Sequence, residues 1–322
     1  MKMWDKEEVE EAVLVGEENQ QTVCVLDAST FVGYWISKKL LLKGYTVHAA
    51  VQKNGEKEIM KKIKELQRRV KERLVIYSVD VLSYRSIVEA LRGCSGLFLS
   101  LENPDGYDEV VGDLEVRGII NVMEACAQSE TIHKVVFTSS LTAAIWTDNT
   151  SSSLKDVDES SWSNTLFCTQ NKLWYALAKT KCEQAAWALA MDRMVVDMVS
   201  INAGLVIGPS VAQLNPVPTL SYLQGAAEMY ESGLLAFVHV GFLADVHVRA
   251  FEDASTSGRY FCFDRTVTRE EDALRLAQIL SPLIPLPAPE RYKCQSGEGY
   301  GERLRTKKLS KLVEGLTATA AC

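Results

Sequence analysis

The chain reads as an α/β domain, a doubly wound parallel sheet followed by a small C-terminal lobe. Two observations predict it. From Thr22 to about Ile201, short apolar β-rich runs alternate with helical stretches. That is the pattern of βα units, whose parallel pairing requires right-handed crossovers. After about Asn202 the rhythm stops, prolines gather at Pro209, Pro216, Pro218, Pro282, Pro285, Pro287 and Pro289, and strands become sparse. A length of 322 residues, 47% hydrophobic and 24% charged, suits one such domain with a sizeable core.

The elements follow in order. Thr22–Leu26 (TVCVL) is an apolar run suited to a strand buried on both faces. Helical sequence runs from about Phe31 to Lys43, with Gly44 as its stop. A second strand covers Tyr45–Val51. In the charged stretch that follows, Ile59, Ile63, Leu66 and Val70 recur at helical spacing. Leu74–Ser78 is a third strand, Ser86–Leu91 a helix ended by Gly93, and Gly96–Ser100 a fourth strand. Glu109–Gln128 is a long helix, Lys134–Thr138 a fifth strand, Leu173–Met191 a helix and Val195–Ile201 a sixth strand. The expected organisation is an acidic segment at 1–20, a Rossmann-type dinucleotide-binding domain at 21–202, and a substrate lobe at 203–322 interleaved with the sheet. Such a lobe closes over the carboxyl edge of the strands, where ligands bind in open α/β sheets. The basic tail from Arg303 is expected to fray toward Cys322.

Charge and cysteine usage narrow the function. Lys plus Arg total 35 against 42 for Asp plus Glu, a net charge of -7, which argues against a general affinity for nucleic acid or an anionic membrane. Residues 1–20 lack the apolar core of a signal peptide, and no run approaches the roughly 20 apolar residues of a membrane span. The eight cysteines form no CxxC pair and no metal-ligand spacing, so reduced thiols, no metal and a cytoplasmic location are expected. His48, His133, His239 and His247 form no local cluster, and His239 and His247 read as structural.

The strongest constellation is Tyr175-Ala-Leu-Ala-Lys179, preceded by Phe137-Thr-Ser-Ser140. Tyr175 and Lys179 stand at i and i+4, on one helix face and one turn apart. An ammonium beside a phenol is expected to lower the phenol pKa, which equips tyrosine for acid–base work. Ser140 closes the fifth strand at the carboxyl edge, where its hydroxyl can bond a substrate carbonyl. A bare YxxxK recurs by chance, and the alternative is an unrelated surface pair; the serine at a strand end within a βα chain favours the active-site reading.

With these motifs in this order the chain resembles the extended short-chain dehydrogenases/reductases, within them the plant cinnamoyl-CoA reductase and dihydroflavonol reductase group, and especially the cinnamoyl-CoA reductase-like proteins. Further matching stretches are Leu42–Val47 (LKGYTV), Asp158–Trp162 (DESSW), Glu183–Trp187 (EQAAW) and Val206–Pro209 (VIGP), and the likeness runs from about Thr22 to Asp264. The resemblance implies a nicotinamide cofactor and Ser140, Tyr175 and Lys179 as the catalytic set. Tyr175 would give a proton to the carbonyl oxygen, Ser140 would hold that oxygen, and Lys179 would tune Tyr175 and bond the nicotinamide ribose. It places Ala28, Ser29, Thr30, Phe31 and Val32 against the dinucleotide's phosphates, Gln52 and Lys53 by the adenosine ribose, and Asp80 and Val81 by the adenine.

Departures from the family pattern sit at the same turn. The family's TGxxGxxG lets backbone approach the pyrophosphate; here the stretch is Leu26–Gly33 (LDASTFVG), with Asp27 and Thr30 in place of the first two glycines. A carboxylate about 4 Å from a phosphate costs roughly 1 kcal/mol in water-like surroundings and roughly 4 at an effective dielectric of 20, a factor of about ten to about a thousand in affinity. Ser29 or Thr30 remains able to cap the next helix, whose N-terminus attracts phosphate. Gln52 replaces the arginine that reads the 2′-phosphate in NADP-dependent relatives, with Lys53 and Lys57 as point charges nearby. With no acidic residue ending the second strand, NADP is favoured over NAD. Most of the basic run from Lys53 to Arg73 also reads as the solvated face of an amphipathic helix.

The substrate signature is thin. Leu173–Lys179 (LWYALAK) keeps Trp174, Tyr175 and Lys179 of the family's NWYCYGK, and Leu99–Pro104 (LSLENP) brings Glu102 close to the expected ribose site. A buried Glu102 needs a partner or titrates upward. Two readings stand: an NADP-dependent reductase of a phenylpropanoid-type carbonyl or CoA thioester, in lignin or defence metabolism, or a catalytically weak or inactive relative acting in partner binding or regulation.

Overall fold

The computed structural model describes residues 19, 21–147, 156–193, 197–284 and 301–314. Apart from Asn19, the acidic segment expected at 1–20 lies outside the described residues, as do Pro285, Pro287, Pro289, Cys294 and the end of the basic tail.

The strands are β1 (Thr22–Leu26), β2 (Thr46–Val51), β3 (Leu74–Ser78), β4 (Gly96–Leu99), β5 (Lys134–Ser140), β6 (Asp197–Ala203), β7 (Leu205–Ile207), β8 (Ala236–His239), β9 (Gly258–Cys262) and β10 (Arg265–Thr266). The helices are α1 (Phe31–Leu42), α2 (Lys57–Val70), α3 (Tyr84–Leu91), α4 (Glu109–Ala127), α5 (Thr142–Ile145), α6 (Thr165–Gln170), α7 (Trp174–Arg193), α8 (Val211–Leu214), α9 (Pro216–Tyr222), α10 (Ala226–Glu231), α11 (Val240–Glu252), α12 (Glu270–Ile279) and α13 (Leu309–Leu312).

Seven strands form one sheet in the order β3-β2-β1-β4-β5-β6-β9, and every pairing in it is parallel. The order reverses between β1 and β4, the switch point where ligands sit in doubly wound sheets. β9 rejoins this sheet beside β6 after β7 and β8, which form a smaller sheet, β10-β8-β7, with β10 added from beyond β9. The continuous apolar strands follow from burial on both faces: Val23 to Leu26 are nearly inaccessible in β1, and all of β4 and β5 is buried.

Helix α2 shows how the pattern becomes packing. Ile59, Ile63, Leu66 and Val70, the four residues at helical spacing, are its buried residues, while Lys57 and the intervening charges face water. Fully burying side chains of this size contributes about 1.5–3 kcal/mol each. β5 runs two residues beyond the expected end at Thr138, because β6 pairs with it through Ser139↔Asn202 and Ser140↔Ala203. The stretch of Pro209, Pro216 and Pro218 becomes α8 and α9; Pro216 opens α9, where a missing N–H costs nothing.

His247 is buried on α11 beneath β5. Its Nδ1–H donates to Leu243 O at 2.7 Å and its Nε2 accepts from the Thr138 hydroxyl at 2.8 Å. Burial depresses its pKa to about 4. It is a neutral packing residue, as is His239, whose Nδ1 accepts from Gly241 N at the start of α11.

Candidate active site

At the carboxyl edge of β5 a narrow cleft is lined by Ser140, Tyr175, Glu102, Val32, Thr219 and Tyr222, among others. Space for the centre of a water-sized sphere amounts to about 30 Å³, enough for one or two waters. Ser140 arrives as the last residue of β5, and Tyr175 from the first turn of α7. Ser140 Oγ accepts from Thr142 N at 3.2 Å and from the Thr142 hydroxyl at 2.9 Å, which leaves its own O–H to turn into the cleft that Tyr175 also lines.

Lys179 lies one turn along α7, 3% exposed. Its Nζ donates to Leu101 O at 2.7 Å and Glu115 Oε1 at 2.9 Å, and stands 3.5 Å from Glu102 Oε1. Burial opposes its charge, but Glu102 and Glu115 outweigh that and hold the ammonium above the usual lysine range. The packing of α4 on α7 brings Glu115 there. Glu102 also takes a hydrogen bond from the Tyr107 hydroxyl at 3.1 Å and from the Tyr175 hydroxyl at 3.4 Å.

The expected lowering of the Tyr175 pKa is overruled. Burial raises it well above the usual tyrosine value and Glu102 adds to the rise; Lys179 and Ser140 pull it down without prevailing. Two carboxylates share one ammonium, so the phenol feels less positive charge than the YxxxK spacing implies. Tyr175 is held as a protonated phenol, the form that donates.

Behind the site, Glu183 on α7 is wholly buried. It accepts from Arg259 Nε at 2.8 Å, Ser139 Oγ at 2.7 Å, Ser200 Oγ at 2.6 Å and Asn202 Nδ2 at 2.7 Å. Arg259, on β9, also donates to the Glu159 and Ser161 carbonyls and lies over the Trp162 ring, 3.9 Å from its centroid. One buried ion pair thereby ties α7, β5, β6 and β9 together next to Ser140.

The other end of the switch point is built differently. Asp27 follows β1 and is 2% exposed. Its Oδ1 accepts from Ser29 N at 2.7 Å and Ser29 Oγ at 2.5 Å, and its Oδ2 from Gln52 Nε2 at 3.0 Å. Burial pushes the carboxyl up; the bonds from Ser29 and Gln52 hold it down in part. Asp27 points neither to solvent nor to a cation: it consumes the Ser29 amide and the Gln52 side chain, both assigned to the cofactor by resemblance.

Thr30 caps α1, accepting from Gly33 N at 3.0 Å. Neither Asp27 nor Thr30 takes up positive φ, so the turn no longer needs glycine there. Gly33 stays constrained: a Cβ on it would lie 2.0 Å from Asp27 O. A Cβ on Gly55 would lie 2.2 Å from Ser29 Oγ, so the loop after β2 lies directly on the turn. Ala28, Ser29, Phe31 and Val32 are buried beneath it.

The remaining expected cofactor residues scatter. Lys53 is exposed beyond Gln52. Asp80 is exposed and caps its own turn, accepting from Leu82 N at 2.9 Å, while Val81 packs toward α4, its carbonyl accepting from Asn121 Nδ2 at 3.0 Å. Asn215, Thr219 and Tyr222 on the cleft wall come from the proline-rich stretch, and Tyr107 and Glu115 from α4 and the loop before it; no local pattern in the sequence marks any of the five. Among the described residues no group of three or more His, Cys, Asp or Glu is placed to hold a metal ion, and no helix is long and apolar enough to cross a membrane.

Residues 24–280 match the 3-beta hydroxysteroid dehydrogenase/isomerase family. The chain belongs to that family. Within it, the chain is 38% identical to cinnamoyl-CoA reductase 2 of Medicago truncatula over 83% of its own length and 79% of the relative's. It is 30% identical to dihydroflavonol 4-reductase of Callistephus chinensis, covering 92% and 82%. The group is the cinnamoyl-CoA and dihydroflavonol reductase group, and by kinship the chain is an NAD(P)-linked oxidoreductase. Vestitone reductase from alfalfa superposes with a TM-score of 0.67 at 25% identity, covering 90% of this chain and 91% of that one. Yeast methylglyoxal/isovaleraldehyde reductase Gre2 complexed with NADPH shares the fold, with a TM-score of 0.66 at 19% identity over 91% and 93% of the two chains.

Against that family, the residues fit a dinucleotide at the nicotinamide end, where a lysine, a tyrosine and a serine meet at the switch point. At the adenosine end they depart from it, because Asp27 and Gln52 bond each other.

Proposed function

We propose that the chain is an NADP-dependent reductase of a small carbonyl or CoA thioester of phenylpropanoid type, with Ser140, Tyr175 and Lys179 as its catalytic set. The observation that carries this reading is that Ser140 and Tyr175 line one cleft at the carboxyl edge of β5, with Lys179 one helical turn behind. When bound, the cofactor supplies a hydride to the substrate carbon. Ser140 holds the substrate oxygen by a hydrogen bond, and Tyr175, kept as a phenol, gives that oxygen a proton. Lys179 would bond the nicotinamide ribose, the amides of Phe31 and Val32 at the α1 N-terminus would hold the phosphates, and Lys53 would supply charge for a 2′-phosphate. Residues from 203 onward supply the substrate lobe through Asn215, Thr219 and Tyr222. The kinship with cinnamoyl-CoA reductases supports a place in lignin or defence metabolism in the cytoplasm, with a small molecule as the partner.

A second reading has its own observation. The Asp27–Ser29–Gln52 lock favours a relative with little catalysis that acts through a protein partner. The two separate on one assay: NADPH consumption with hydroxycinnamoyl-CoA esters, the matching aldehydes and dihydroflavonols. Turnover with any of them sustains the reductase; none across the panel at millimolar NADPH sinks it and leaves the second reading.

A further inference from the structure

Among the described residues Glu102 is the one ionisable group that touches Tyr175, approaches Lys179 and lines the cleft. Its surroundings are fully specified: Tyr107 from the same loop, Glu115 from α4, and Tyr175, Lys179 and Cys182 from α7. Two carboxylates face one ammonium. Glu115 is the nearer, at 2.9 Å against 3.5 Å, and so forms the ion pair. Glu102 is left with phenolic partners, the Tyr107 hydroxyl on one oxygen and the Tyr175 hydroxyl on the other. Two like charges around one buried cation are disfavoured, and the carboxyl farther from the ammonium is the one that takes a proton more readily. Its side chain is 16% exposed against 8% for Glu115 and 3% for Lys179, so of these three it has the readiest route to water.

We infer that Glu102 is a catalytic acid in its own right, a relay that restores the proton Tyr175 gives to the substrate. This rests on the reductase reading above. In the step, the Tyr175 O–H bond breaks as the new alcohol O–H forms, with the electron pair at carbon supplied by the nicotinamide cofactor. The Glu102 O–H bond then breaks as the Tyr175 O–H bond reforms, and Glu102 regains its proton from water. Burial raises the Glu102 carboxyl above the usual range while Lys179 draws it back in part, which agrees with a group that carries a proton to work. A route through Lys179 is the less open one, since its Nζ is already held by Leu101 O and Glu115.

The test combines Glu102→Gln and Glu102→Asp. With a relay, E102Q lowers kcat by up to about 10²- to 10⁴-fold, the worth of a positioned acid. It also removes the limb on which wild-type kcat falls with rising pH, while E102D keeps that limb. Calorimetric affinity for NADPH should change by less than about threefold in both, which separates a relay from damage to the binding site. Unchanged kcat and an unchanged limb in E102Q overturn the proposal. Phenolate absorbance provides a readout independent of turnover. Subtracting the Tyr175→Phe titration isolates Tyr175, which should ionise at lower pH in E102Q because a neighbouring negative charge is gone. No shift overturns the coupling itself. A clear shift in a chain that reduces no carbonyl refutes the reductase reading, and the relay with it, while leaving the coupling intact.

Discussion

The two ends of the switch point have diverged. At the end of β5, Ser140, Tyr175 and Lys179, the proposed catalytic set, are braced from behind by the buried Glu183–Arg259 pair. At the end of β1, Asp27 and Thr30 stand where the resemblance leads one to expect glycines, and Gln52 where it leads one to expect an arginine. These changes belong together: Asp27 is satisfied by Ser29 and Gln52, so each substitution removes the cost of the other. A turn that had only decayed would leave buried polar atoms without partners. Here the first turn is a closed hydrogen-bonded unit, with the chain's own carboxylate bonding the amide that would face a phosphate.

The contrast can be broken at either end. The largest effect is expected from Tyr175→Phe, which should cut turnover about 10²- to 10⁴-fold, the usual worth of a positioned acid. Calorimetry should find its NADPH affinity nearly unchanged; a joint loss of both would mean that Tyr175 holds the cofactor instead of donating a proton. Next, Arg259→Met strands the Glu183 carboxylate in the core and should destabilise the fold by about 3–5 kcal/mol in urea unfolding. Adding Glu183→Gln should recover most of that loss. A cost below about 1 kcal/mol for Arg259→Met would show that the brace is dispensable.

The smallest expected effect is a pH dependence. His247 has a folded pKa of about 4, below the unfolded value near 6.5, so its contribution is complete above pH 6.5 and is lost as pH falls toward 4. The full loss is about 3 kcal/mol. Asp27 and Glu102 act with the opposite sign: their raised carboxyls take up protons in the folded chain first, so their share of stability rises as pH falls. Comparing wild type with His247→Gln between pH 7 and pH 4.5 isolates the histidine. A variant that loses as much stability as wild type over that range would contradict the assignment.

What could be read from the sequence was whatever local pattern controls. The strands β1 and β3, the buried face of α2 and the i, i+4 spacing of Tyr175 and Lys179 depend on residues within a few positions of one another. The departures at Asp27, Thr30 and Gln52 were visible too, but as losses. That Gln52 reaches back to Asp27 depends on β2 lying beside β1. The setting of Lys179 was hidden for the same reason, since Leu101 and Glu115 meet it only through the packing of β4, α4 and α7. The pKa of Tyr175 was therefore expected to move the wrong way: the ammonium was legible and so was Glu102, which the structure shows both partnered and raised by burial, but its contact with Tyr175 and the presence of Glu115 were not. The seventh strand, β9, was missed because it returns to the sheet after an irregular stretch with no alternating rhythm.

The account turns on the lock at β1, and one measurement tests it most directly: calorimetric titration of NADPH into the wild-type chain and into the Asp27→Gly/Gln52→Arg double variant. Removing the internal carboxylate and restoring an arginine should tighten binding by at least about tenfold, and by up to about a thousandfold if Asp27 faces the phosphate in low-dielectric surroundings. Equal affinities would contradict the account, because Asp27 would then stand in no competition with the cofactor.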